Sequence, residues 1–195
     1  MKKIIICILF AIVATSTFAQ EKGKTRLGFD LGYYNKAGLG VDINFLYNIQ
    51  DNMNVGVRTG AAFVGRESQV EKEYFDAGIT NLLGTYNYYF RFKNPSAIFV
   101  GGGLGCYKLS KFSHDEIHIR EYASNKFGGS LTTGIEIRKF RLALEYNFIP
   151  SSSVVVNTQI ASGGVLGGVI LVDDKVKNNY LAITAGFFIG GGKWK

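Results

Sequence analysis

The chain has 195 residues, 47% of them hydrophobic, with 22 lysines and arginines against 15 acidic side chains and a formal charge of +7. A positive balance of that size raises nucleic acid as a partner, but an export signal at the start and the scatter of the basic residues along the chain argue against one. Glycine is abundant at 25 residues while proline stands at 2, a pairing that suits a strand-rich barrel better than a disordered chain.

Residues Met1 to Ala19 read as a secretory signal. Lys2 and Lys3 form its basic start, Ile4 to Val13 its apolar middle, and Thr17, Phe18 and Ala19 a small-x-small cleavage site, so that Gln20 begins the mature chain and 20–195 forms one barrel domain. Cys7 follows Ile6, where a lipid-attachment site wants Gly or Ala, which sets a lipoprotein aside. Loss of Cys7 with the signal leaves Cys106 alone, and no internal disulfide can form in the exported chain. No other segment approaches the roughly 20 apolar residues of a spanning helix. If the chain enters a membrane, it does so as strands.

Alternating runs follow in order. Thr25 to Tyr34 sets Leu27, Phe29, Leu31 and Tyr33 against Arg26, Gly28, Asp30 and Gly32, a period of two that means strand. After Asn35 to Ala37, the run Gly38 to Ile49 sets Leu39, Val41, Ile43, Phe45, Tyr47 and Ile49 against Gly40, Asp42, Asn44 and Asn48. A third run, Met53 to Val64, carries Val55, Val57, Ala61 and Phe63 opposite Asn54, Gly56, Arg58 and Gly60, and Gly65 to Ala77 reads as a charged loop. The fourth, Gly78 to Phe92, sets Leu82, Tyr86, Tyr88, Phe90 and Phe92 against Asn81, Thr85, Asn87 and Arg91 and stops before Pro95, where a ladder can spare a donor. The fifth, Ala97 to Lys108, contains Gly101 to Gly103 and Gly105, so alternation does not assign its faces. Leu109 to Ser124 reads as a second long polar loop. The sixth run, Asn125 to Arg138, and the seventh, Arg141 to Ile149, flank Lys139 and Phe140 and imply a tight hairpin; the last is Tyr180 to Gly190.

The connections run short, short, long, short, long, short, long. With the N-terminus in the periplasm, the second, fourth and sixth are periplasmic, and all three are short, which is the habit of bacterial outer-membrane barrels with an even strand count. Aromatic residues near strand ends, Tyr33, Tyr34 and Tyr146 on one side and Tyr47, Phe90, Phe92 and Phe99 on the other, suit two interfacial girdles. The expected fold is therefore an all-β, eight-stranded antiparallel transmembrane barrel with both termini in the periplasm. A soluble lipocalin-like barrel, apolar face inward, is the competing reading. The polar face decides between them: Arg26, Asp30, Asp42, Arg58, Arg91, Glu136, Arg138, Arg141 and Glu145 can pair inside a narrow lumen, whereas a soluble surface more commonly shows lysines. Residues 150–179, with Val154 to Val156 and Val165 to Val172, are too apolar for a simple loop. They either extend the neighbouring strands as a tall hairpin or supply two more membrane strands, for ten. Ser151 to Ser153 and the glycine pairs at 163–164 and 167–168 favour eight.

The signal ending in Phe18, Ala19 and Gln20, the strand Gly101 to Tyr107 and the finish Asn179 to Phe188 resemble the outer-membrane β-barrel family of Bacteroidetes-type bacteria, the porin-family or opacity-like proteins related in fold to the barrel of OmpA. The resemblance spans the mature chain and implies an outer-membrane location in a Gram-negative bacterium, with membrane lipid and the barrel-assembly machinery as partners. It names no activity. Barrels of that family often end on an aromatic residue, a part that Phe188 or Trp194 would have to take here. With few residues between Gln20 and the first run and few after the last, no peptidoglycan-binding domain is expected.

Candidate chemistry is sparse. His114 and His118 have the i, i+4 spacing of zinc ligands but lie in a polar loop without helical pattern. Ser113 beside His114 lacks a third orienting group, although a lipid-A deacylase on a small barrel would use such a pair. The glycine clusters lack the spacing of phosphate or dinucleotide loops. No catalytic, metal or cofactor-binding residue is expected. Three functions remain in view: a structural or surface-binding barrel acting through 65–77, 109–124 and 150–179 on an unidentified extracellular ligand, a narrow ion- or solute-conducting pore, and a lipid-modifying enzyme. An interior just wide enough for side chains favours a plug of paired charges and the first of these.

Overall fold

The computed structural model describes residues 21–35, 38–67, 74–92, 95–111, 124–159 and 169–192. Ten strands follow in chain order: β1 (Thr25–Tyr34), β2 (Gly38–Gln50), β3 (Met53–Glu67), β4 (Tyr74–Arg91), β5 (Ser96–Lys111), β6 (Ser124–Ile137), β7 (Phe140–Phe148), β8 (Ser152–Gln159), β9 (Val169–Val176) and β10 (Tyr180–Gly190). Eight of them close an antiparallel barrel in the order β1-β10-β7-β6-β5-β4-β3-β2, and β8 and β9 pair only with each other. Closure through β1 and β10 runs in unbroken register from Arg26 opposite Gly190 to Tyr34 opposite Ala182, so the sheet has no free edge there. The eight-strand reading of the sequence holds, and 150–179 contributes a hairpin outside the closed ladder.

Alternation becomes burial. On β7 every second residue from Arg141 to Asn147 is buried and every intervening one exposed. Outside, large apolar side chains stand in the open: Leu31 and Leu39 are each 68% exposed, and Val41, Ile43, Phe45, Leu131, Leu142 and Ile183 share that face. Inside lie Arg26, Asp30, Asp42, Arg58, Glu136 and Glu145, all buried. Such a molecule is inverted relative to a water-soluble barrel, whose apolar face would turn inward.

Several details differ from the sequence reading. The strands reach into 65–77 and 109–124: β3 runs to Glu67 and β4 starts at Tyr74, so Gly65 to Glu67 and Tyr74 to Ala77 are paired ladder rather than loop, whereas in the second segment only Leu109 to Lys111 and Ser124 are described, as the end of β5 and the start of β6. Tyr34 and Phe99 are not girdle residues; both point into the bore and are buried, because each shares the parity of its strand's inward face. Arg138 is not a lumen residue. It is exposed in the turn between β6 and β7 at φ 57°, and its N–H donates to the Pro95 carbonyl at 2.7 Å. In the glycine-rich strand, Ala97, Phe99, Gly103, Tyr107 and Leu109 face inward and Ile98, Val100 and Leu104 face outward.

At the end carrying both termini, Asn48 ties the seam. Its side-chain amide donates to the Glu21 carbonyl at 3.1 Å and the Gly191 carbonyl at 3.2 Å. Gly190 and Gly191 have φ of 84° and 92°, left-handed values that end β10 at little cost only because neither carries a Cβ.

Candidate functional site: the filled lumen

The interior is the only place where this fold concentrates charge among the described residues, and it is built in three storeys. At the long-loop end, Tyr34, Ile79, Leu83, Tyr107, Leu109, Ile149 and Tyr180 form one apolar cluster across the mouth of the bore. Tyr34 and Tyr180 pack at 5.4 Å between ring centroids.

Below it lies a polar storey. Arg58 of β3 reaches Glu145 of β7, its Nη2 donating to Oε1 at 2.8 Å while Nη1 donates to Oε2, a two-pronged contact of the fork geometry that guanidinium and carboxylate share. In an eight-strand ring β3 and β7 stand four strands apart in either direction, so this pair crosses the full bore. Asn147 Nδ2 donates to Glu145 Oε1 at 2.7 Å and Thr132 Oγ1 to Oε2 at 3.2 Å, and Tyr107 O–H donates to Asn147 Oδ1 at 2.7 Å. On the far wall Asp30 and Asp42 are in-register neighbours. Asn44 Nδ2 donates to Asp30 Oδ2 at 2.6 Å, and Tyr34 O–H to Asp42 Oδ2 at 3.0 Å.

The third storey lies toward the termini. Arg26 Nη2 donates to Glu136 Oε2 at 2.8 Å, both side chains fully buried. Tyr89 O–H donates to Glu136 Oε1 at 3.0 Å and accepts from Asn54 Nδ2 at 3.1 Å. The Arg26 guanidinium lies 4.0 Å from the Phe188 ring centroid and that of Arg141 lies 3.9 Å from the Phe99 centroid, distances at which a cation is held by an aromatic face. Arg141 is the in-register neighbour of Glu136, yet Glu136 turns away from it to Arg26.

Of the nine charges singled out in the sequence, Arg26, Asp30, Asp42, Arg58, Glu136, Arg141 and Glu145 are buried in the bore, Arg91 is half-buried at the end of β4, and Arg138 lies outside. Aromatic side chains fill the bore as well: Tyr89, Tyr107 and Tyr180 are assigned no face in the sequence reading, and Phe99 and Phe188, expected in a girdle and as a terminal aromatic, are buried here. Parity held the signal for Tyr89, which falls in step with Asn87 and Arg91. Ser113, His114 and His118 lie outside the described residues, as do the cleavage site at Ala19 and Trp194. Among the described residues no three metal-ligating side chains gather.

No family model and no curated protein sequence matches the chain. Solved structures similar to it include the outer membrane protein OprG from Pseudomonas aeruginosa, with 13% identity, TM-score 0.50 and coverage of 88% of this chain and 98% of that one. The N-terminal β-barrel domain of OprF from the same organism follows at 11% identity and TM-score 0.48, covering 87% of this chain and all of that one. Ail of Yersinia pestis, solved with the heparin analogue sucrose octasulfate, aligns at 15% identity and TM-score 0.42 over 87% of this chain and 100% of its own. The likeness to OprG shows the fold alone.

Proposed function

We propose that the chain is an outer-membrane β-barrel with a closed lumen, serving a structural or surface-binding role through the segments at its long-loop end. The observation that carries this reading is the Arg58–Glu145 pair, which spans the bore between opposite walls and is boxed in by Asn147, Thr132 and the tyrosine cluster above it. An open pore would need those groups hydrated. The continuous apolar exterior supports membrane insertion, since an exposed belt this extensive is what hydrocarbon covers. OprG, an outer membrane protein, has the same fold. The reading includes membrane lipid and the barrel-assembly machinery as partners, a Gram-negative cell of Bacteroidetes type as the source, no catalytic activity and no nucleic acid. Recognition then falls to long connections on a rigid scaffold, where binding commonly resides.

Single-channel recording in planar bilayers tests it. The wild-type barrel should insert silently. Sustained, ion-selective openings that change when Arg58 or Glu136 is neutralised would replace the plug with a pore.

A further inference from the structure

One groove on the outer wall differs from a plain stretch of apolar belt. It has a volume of about 640 Å³, with Leu104, Phe127 and Phe148 as its apolar floor and Pro150, Ser151, Lys177, Asn178 and Asn179 at its rim. Register explains the hollow. Leu104 of β5 lies opposite Gly129 of β6, which lies opposite Phe148 of β7, so the outward row has no side chain at its centre.

The rim is the stem of the β8–β9 hairpin, and it is held in place. Asn179 Oδ1 accepts from the Ile149 N–H at 2.8 Å, and Asn178 Nδ2 donates to Ser152 Oγ at 2.9 Å. Lys177 stands exposed on this rim. On the other flank, beyond Cys106, which pairs with Phe127, Lys108 faces outward opposite Asn125. Neither lysine makes an ion pair among the described residues. A second groove, over Phe29, Leu31, Val41, Ile43, Ala185 and Phe187, has a volume of about 470 Å³ and no cationic side chain. That one suits any acyl chain of the bilayer.

We infer that the notch under the hairpin binds one membrane lipid whose phosphate headgroup is net anionic, with an acyl chain on Leu104, Phe127 and Phe148 and the phosphate held by Lys108 and Lys177. The inference rests on the membrane reading above. Acyl contact provides no selectivity, because every lipid offers it; charge does. A lysine near a membrane surface strengthens binding of an anionic lipid about fivefold, so two give a preference of roughly twenty-fivefold.

The test is native mass spectrometry of the full barrel reconstituted in phosphatidylcholine nanodiscs with a minor fraction of phosphatidylglycerol. Wild type should retain one phosphatidylglycerol in roughly twenty-fivefold preference over phosphatidylcholine. The double variant Lys108→Gln, Lys177→Gln should fall to near parity, while Lys22→Gln, Lys24→Gln at the opposite end should behave as wild type. Both replace exposed polar positions, and unchanged β-sheet circular dichroism verifies folding. Absence of preference in the wild type, its survival in the double variant, or its loss to millimolar inorganic phosphate would each overturn the site. Failure of the protein to insert into nanodiscs would instead remove the membrane reading on which the site depends.

Discussion

The carboxylate of Asp30 lies over the bare Cα of its in-register partner Gly186: a Cβ added to that glycine would sit 1.8 Å from Asp30 Oδ1. Asp42 and Gly60 repeat the arrangement on the other side, again at 1.8 Å. Two buried acids therefore occupy space that two missing side chains leave, and the narrow bore holds more charge than alternation by itself would accommodate.

Gly186→Ala should consequently destabilise the barrel by about 1–3 kcal/mol, the usual cost of forcing extra volume into a packed interior. The new methyl meets the Phe29 carbonyl at 2.4 Å as well as the acid, and backbone cannot swing aside. Gly84→Ala is the contrast, because its nearest neighbour would be the Leu104 carbonyl at 3.8 Å. It should change stability by less than about 0.5 kcal/mol. Urea unfolding in detergent micelles separates the two; equal effects would show that the glycines are not serving as slots.

Removing one partner of Arg58 and Glu145 leaves a buried charge uncompensated. Arg58→Met should cost about 3–5 kcal/mol. Adding Glu145→Gln removes the orphaned charge while keeping an acceptor for Asn147 Nδ2, so the double variant should recover a large part of that loss. A double variant that merely sums the two single losses would mean that the pair does not act as a unit.

Ile43, outward and in the middle of β2, is opposite Phe29 on one side and Thr59 on the other. Ile43→Arg should cost about 2–4 kcal/mol in a bilayer if this position lies near its midplane. Retention of wild-type stability, together with solubility in the absence of detergent, would remove the membrane reading.

Arg138 adopts a left-handed backbone that a side chain makes unfavourable. Arg138→Gly should raise stability by about 1 kcal/mol, since glycine holds that conformation without steric penalty and the N–H to Pro95 carbonyl bond is kept. A loss of stability would show that the arginine side chain contributes more than its backbone costs.

The proposal of a non-enzymatic role has its own check. The mass spectrum of lipid A in overexpressing cells should match that of control cells. Altered lipid A that reverts with Ser113→Ala or His114→Ala would replace the binding role with a deacylase.

Alternation in the chain was enough to determine strand number, which side chains face the bore on most strands, and the tight β6–β7 hairpin. The reason is local: in a strand the side of the sheet depends only on parity. Parity also explains why Tyr34 is inside, since it is in step with Asp30 despite its nearness to the strand end; for Phe99, on a glycine-rich strand whose faces alternation does not assign, only the fold decides.

What the linear order leaves open is who meets whom across the lumen. Glu136 and Arg141 are neighbours in register, and a reading confined to adjacent strands pairs them; barrel closure brings Arg26 of β1 to Glu136 and Arg58 of β3 to Glu145, over 110 and 87 residues of chain. Those partnerships depend on the number of strands, their stagger and the space left by Gly60 and Gly186, which are properties of the closed ring. The sequence alone determined an inside and an outside for every barrel strand except the glycine-rich β5, because that is set residue by residue. Which side chains meet across that inside was decided only by the tertiary structure, because it is set by the distance between opposite walls.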